Sequence, residues 1–136
     1  MRRLEEQEAI RIIEDAVREA TSPEEAGDRV EREVARRRTL GDRWCPLSDW
    51  QMWWWAYRIA KGEGWGRFVV EFRIARDESK RREAMQLMQL AIRQAKAGKK
   101  QEAARAAADA LKIAASLTYV DGWPVIQAYG EFQEAT

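Results

Sequence analysis

No histidine occurs anywhere in this chain of 136 residues, and Cys45 is its one cysteine. These two counts remove most side-chain chemistry at once. Histidine is the commonest general base and the commonest transition-metal ligand. Without it, serine–histidine and cysteine–histidine nucleophile systems are excluded, and one thiol cannot supply a Cys/His zinc site. Carboxylates remain, but Asp and Glu sit beside Arg or Lys on faces that read as solvated. Glu71 is the exception, inside the apolar run Phe68–Ile74. Arg67 or Arg73 is near enough to pair with it, and ion pairing is the commoner reason for such a placement than catalysis. Cys45 lies just before an expected helix start and two residues after Arg43, features that lower a thiol pKa. The preferred reading is nonetheless a small buried apolar residue beneath the tryptophans. The sequence therefore offers no catalytic residue, metal site or cofactor site, and the expectation is a non-enzymatic protein.

Tryptophan is what the chain has in excess. Six of its seven tryptophans fall between Trp44 and Trp65, and Trp53, Trp54 and Trp55 are consecutive. A helix turns about 100° per residue, so three adjacent side chains cannot share one face. Either two surfaces cover this segment or part of it faces a partner. One reading is core, since Trp fills large volumes in a small helical protein. A second is a protein interface, where Trp, Tyr and Arg dominate the binding energy. Its residues would be Arg43, Trp44, Trp50, Trp53, Trp54, Trp55, Tyr57, Arg58, Trp65 and Arg67. A third is stacking on single-stranded nucleic acid, with cations tracking phosphates. Its cations would be Arg36, Arg37, Arg38, Lys80, Arg81, Arg82, Arg93, Lys96, Lys99 and Lys100.

Charge argues against the third reading. The net charge is +1, and residues 41–76 net only +2. Residues 77–117 net +4 and residues 118–136 net −3. The cations from Lys80 to Lys100 fall at the two ends of one expected helix, so they do not form one patch. Arg36, Arg37 and Arg38 are adjacent on a helix and fan out; there they complement the C-terminal dipole. Arginine supplies 18 of the 24 cations, which suits bidentate pairing and stacking on rings.

The elements that must position these residues are helical. Leu4, Ile10, Ile13, Val17 and Ala20 recur at helical spacing, giving a first helix from about Arg3 to Ala20. Ser22-Pro23-Glu24-Glu25 restarts the chain, with Ser22 as cap, Pro23 at the first helical position and Glu25 closing a capping box. That second helix carries Ala26, Val30 and Val34. Ser48-Asp49-Trp50-Gln51 is another capping box, with Leu47 and Met52 placed for a hydrophobic staple. It opens a third helix, from about Asp49 to Lys61, that is apolar nearly all round. Trp50, Trp53, Trp54 and Tyr57 define one side, and Met52, Trp55, Ala56 and Ile59 the other.

Gly62-Glu63-Gly64-Trp65-Gly66 reads as a turn without phosphate-loop spacing. Phe68, Val70, Phe72 and Ile74 alternate as in a strand, while Phe68, Val69, Phe72 and Ala75 fit a helix. The helix is preferred, because a lone strand leaves its backbone groups unpaired. Its candidate partners are 118–120, or Val125-Ile126. From Asp77 to Gly98 a helix turns Met85, Met88, Ala91, Ile92 and Ala95 inward. The next, Gln101 to Leu117, carries a seam of Ala103, Ala107, Ala110, Ala114 and Leu117. Gly98-Lys99-Lys100-Gln101-Glu102-Ala103, with Ala110-Leu111 after it, resembles the second helix of a tetratricopeptide unit over about 35 residues. It occurs once, so it implies an antiparallel αα-hairpin and not a solenoid. Pro124 is read as starting a short final helix through Phe132, docked by Val125, Tyr129 and Phe132.

The expected fold is a single all-α domain over residues 1–136, a bundle of five to seven helices with an αα-hairpin near the C-terminus. A short β element at residues 67–75 is the alternative to helix there. The expected function is a non-enzymatic binding or adaptor module, a subunit of a larger assembly whose partner is another protein or a second copy. An Arg/Trp-rich nucleic-acid-binding subunit is the alternative. A third reading, an apolar pocket lined by Trp50, Met52, Trp54 and Tyr57, requires an enclosed cavity. The start of the chain lacks a signal-peptide core, no run approaches the apolar length of a membrane span, and a lone thiol fits a reducing compartment. The expected location is the cytoplasm, without membrane contact.

Overall fold

The computed structural model describes residues 2–41 and 43–136, with the side chain of Arg43 outside that description. Six helices account for most of the chain: α1 Glu6–Glu19, α2 Pro23–Thr39, α3 Asp49–Ala60, α4 Trp65–Lys96, α5 Lys100–Ala115 and α6 Tyr119–Ala135. Two short strands, β1 Arg2–Arg3 and β2 Arg43–Trp44, pair in parallel. The fold is all-α. The chain packs as two compact units, one ending at Arg76 and the other covering Asp77–Thr136, so the division falls within α4.

In the first unit, α1 buries Ala9, Ile12, Ile13 and Ala16. Of the expected stripe within the helix only Ile13 is central; Ile10 and Val17 are partly buried at its edge, because the core face is turned toward Ile12 and Ala16. Leu4 is not in that helix. It leaves β1, donates its backbone N–H to the Trp44 carbonyl (2.8 Å) and is buried in the core. The α2 cap follows the sequence signal with one change. Ser22 Oγ accepts the Glu25 N–H, but the Glu25 carboxylate accepts from the Thr21 N–H (2.8 Å) and Thr21 hydroxyl (2.6 Å), not from the Ser22 N–H. The reciprocal bond thus closes one residue earlier than in a capping box, on the backbone N–H and hydroxyl of Thr21.

The α3 cap is as expected. Ser48 and Gln51 form a complete capping box, and the staple residues Leu47 and Met52 are both buried. The helix ends at Ala60 with Lys61 as its C-cap, and Gly62 follows at a φ of +90°, which L side chains rarely adopt.

Residues 67–75 belong to α4, and the β pairing lies elsewhere. The burial explains why the alternating pattern misleads. Phe68 and Phe72 are fully buried, whereas Val70 and Ile74 are 55% and 53% exposed. A strand would put all four on one side; the period of four belongs to a helix. Glu71 is exposed, so it needs no buried partner.

The second unit holds the rest of α4 with α5 and α6. Its core is Ala84, Met88, Ala91 and Ile92 from α4, the alanine seam of α5, and Val125, Ala128 and Phe132 from α6. Gly98, at φ +81°, turns α4 back into α5 and gives the αα-hairpin. The last helix differs from expectation. It starts at Tyr119, five residues before Pro124, because Thr118 caps it by accepting the Asp121 N–H. Pro124 then lies inside the helix, where it deprives only the Val120 carbonyl of its partner. Gly122 packs against α5, where a Cβ would stand 3.0 Å from the Ala114 carbonyl oxygen.

Candidate functional site

The three consecutive tryptophans have three different fates. Trp55 is buried with Met52, Ala56 and Ile59, and its ring tilts against Phe68 at 6.1 Å. Trp53 lies against α2. Its indole N–H donates to Asp28 Oδ1 (2.9 Å), and a Cβ on Gly27 would come within 2.6 Å of its ring. Trp54 faces outward. The 100° step between neighbours thus sends one ring to the core, one to the adjacent helix and one to solvent.

Trp54 is the middle of an exposed aromatic ladder. The Trp50 ring is stacked on it at 6.1 Å with a 2° interplanar angle, and Tyr57 follows at 6.0 Å and 20°. Tyr57 also stacks on Trp53 at 5.3 Å. Trp50 is 66% exposed and Trp54 38%. Two cations complete the face. The Arg58 guanidinium lies over both Trp54 (5.8 Å) and Trp55 (5.7 Å) and reaches Glu63 at 3.5 Å. The Lys61 ammonium lies 5.0 Å from the Tyr57 ring centre. A cation over an indole or phenol face is attracted by the ring quadrupole, by about 0.5–1 kcal/mol at exposed sites.

Not every expected partner residue joins this face. Trp44 is on β2 and partly exposed. Trp65 opens α4 and packs edge-on against Phe68 at 6.2 Å. Arg67 is exposed on α4 and takes part in none of the ring stacks described among these residues. The side chain of Arg43 lies outside the described residues. Trp55 belongs to the core, and Trp53 is seated against α2 with part of its surface still exposed. Lys61 was not anticipated; it stands at i+4 from Tyr57, a spacing that places it on the ladder.

The cations proposed for phosphate do not converge. Arg36 pairs with Glu33 (2.7 Å), Arg37 with Glu8 (3.1 Å) and Glu33 (2.9 Å), and Arg38 with Asp49 (2.8 Å). The Arg36 hydrogen bond leads in holding the Glu33 carboxyl below its usual range. Arg81 is 4.0 Å from Asp121. Lys80 and Arg82 are separated from Lys96 by about 20 Å of helix axis, with Arg93, Lys96, Lys99 and Lys100 exposed at the far end.

An apolar pocket of Trp50, Met52, Trp54 and Tyr57 does not form, because Met52 is fully buried on the opposite face of α3. An open groove of about 460 Å³ lies instead over α1 and α2, lined mostly by charged side chains that include Asp15, Glu19, Arg32 and Glu33. Cys45 is buried, and burial pushes its thiol up to about 11, against the activated-thiol reading. Among the described residues, no helix is long and apolar enough to cross a membrane. No family model, characterised sequence or solved structure matches the chain.

Proposed function

We propose that this protein is a non-enzymatic binding module, a subunit of a larger assembly, and that the outer stripe of α3 is its partner surface. Trp50, Trp54 and Tyr57 form the apolar centre, with Arg58 and Lys61 at one end. The observation that carries this reading is the exposed ladder. The core face of α3 is already supplied by Met52, Trp55, Ala56 and Ile59, yet the helix holds further rings in fixed register outside it. Rings and a guanidinium locked in place lose little conformational freedom on binding, which favours them as interface anchors. Covering the part of Trp50 left in water, on the order of 150 Å², is worth roughly 3–4 kcal/mol before the cost of association.

A protein partner is favoured over single-stranded nucleic acid by the state of the rings. Base stacking needs free ring faces and a continuous cationic track. Trp54 already has Trp50 (6.1 Å), Tyr57 (6.0 Å) and the Arg58 guanidinium (5.8 Å) as close ring neighbours. Arg36, Arg37 and Arg38 are occupied by carboxylates.

The test is affinity capture with chemical cross-linking from cells of the native host, using wild type and Trp50→Ser/Trp54→Ser. Loss of a stoichiometric protein from the variant alone supports the reading. Captured sets that are identical, with untagged copies of the chain itself counted among the captured proteins, sink it. Tryptophan fluorescence titrated with a single-stranded oligonucleotide tests the alternative, and a salt-sensitive change would favour nucleic acid.

A further inference from the structure

We draw no further inference here: the strongest candidate, the exposed stripe of Tyr119, Trp123 and Ile126 along α6, is an unpartnered apolar helix face, and nothing in the structure shows what covers it.

Discussion

The two units are filled with different side chains. The first packs Phe68, Phe72, Ile13, Met52 and Trp55 around the three short helices. The second closes on alanine, with Ala84, Ala91, Ala103, Ala107, Ala110 and Ala114 at the centre and Met88 and Phe132 among its few large residues. Large side chains fill the space between helices, whereas alanine lets the helices themselves approach. One core should therefore be sensitive to what is removed and the other to what is added. The outer faces follow from this. Both α3 and α6 have one apolar face committed to a core, and each shows a second to solvent. On α3 that second face is braced by ring stacks and cations; on α6 it is the stripe of Tyr119, Trp123 and Ile126.

The largest effect expected from this contrast is at Phe72. Phe72→Ala removes a fully buried ring and should cost about 3–5 kcal/mol in urea unfolding. Ala110 is equally buried, in the alanine seam. Ala110→Leu should cost about 1–3 kcal/mol through overpacking, although it adds apolar surface. If Ala110→Leu stabilises the chain, the second core holds space that its small residues do not fill, and the contrast fails.

Next in size is a pair of glycines, each under a close neighbour. Gly27→Ala drives a methyl to 2.6 Å from the Trp53 ring, so the ring must swing and its bond to Asp28 breaks. The loss of that bond and the strain exceed the gain in helix propensity, for a net cost of about 1–2 kcal/mol. Gly122→Ala meets the Ala114 carbonyl oxygen at 3.0 Å, a milder approach, and the propensity gain of about 1 kcal/mol should leave it near neutral. Equal costs at the two positions would remove the distinction between a side-chain seat and a backbone contact.

These glycines also show how far the sequence could be read. Helix starts at Ser48 and Pro23 were legible because capping is local, decided within four residues. The helical state of Phe68 and Phe72 was legible from spacing once a lone strand was judged costly. The two sides of α3 were legible as a pair, but which of Trp53 and Trp54 would face solvent was not. That depends on Gly27, which lies 26 positions earlier and leaves room on α2 for one indole. Leu4 joined the first helix by spacing and left it because of a backbone bond to Trp44, 40 positions away. The α6 stripe was hidden for a local reason. Reading Pro124 as the helix start left Tyr119 and Trp123 outside any helix, so their spacing with Ile126 carried no meaning. Thr118 and Asp121 were the missed cap.

The smallest effect concerns the α2 cap, and its sign follows from the Glu25 pKa. The side-chain and backbone hydrogen bonds from Thr21, helped by Arg29, lower the Glu25 carboxyl from 4.5 to about 2. A carboxyl depressed in the folded state binds its proton more readily when unfolded. Its contribution is therefore present above the unfolded pKa and is lost as pH falls from 4.5 toward about 2. The group is solvent-exposed, so screening keeps the effect small. Glu25→Gln keeps an acceptor for Thr21 and removes the charge. The melting temperature of wild type should exceed that of the variant above the window, and the gap should close through it. Parallel curves across the window would mean that the Thr21 bonds hold without the charge, and that Ser22, the cap shared in kind with Ser48 and Thr118, accounts for the start of α2 by itself.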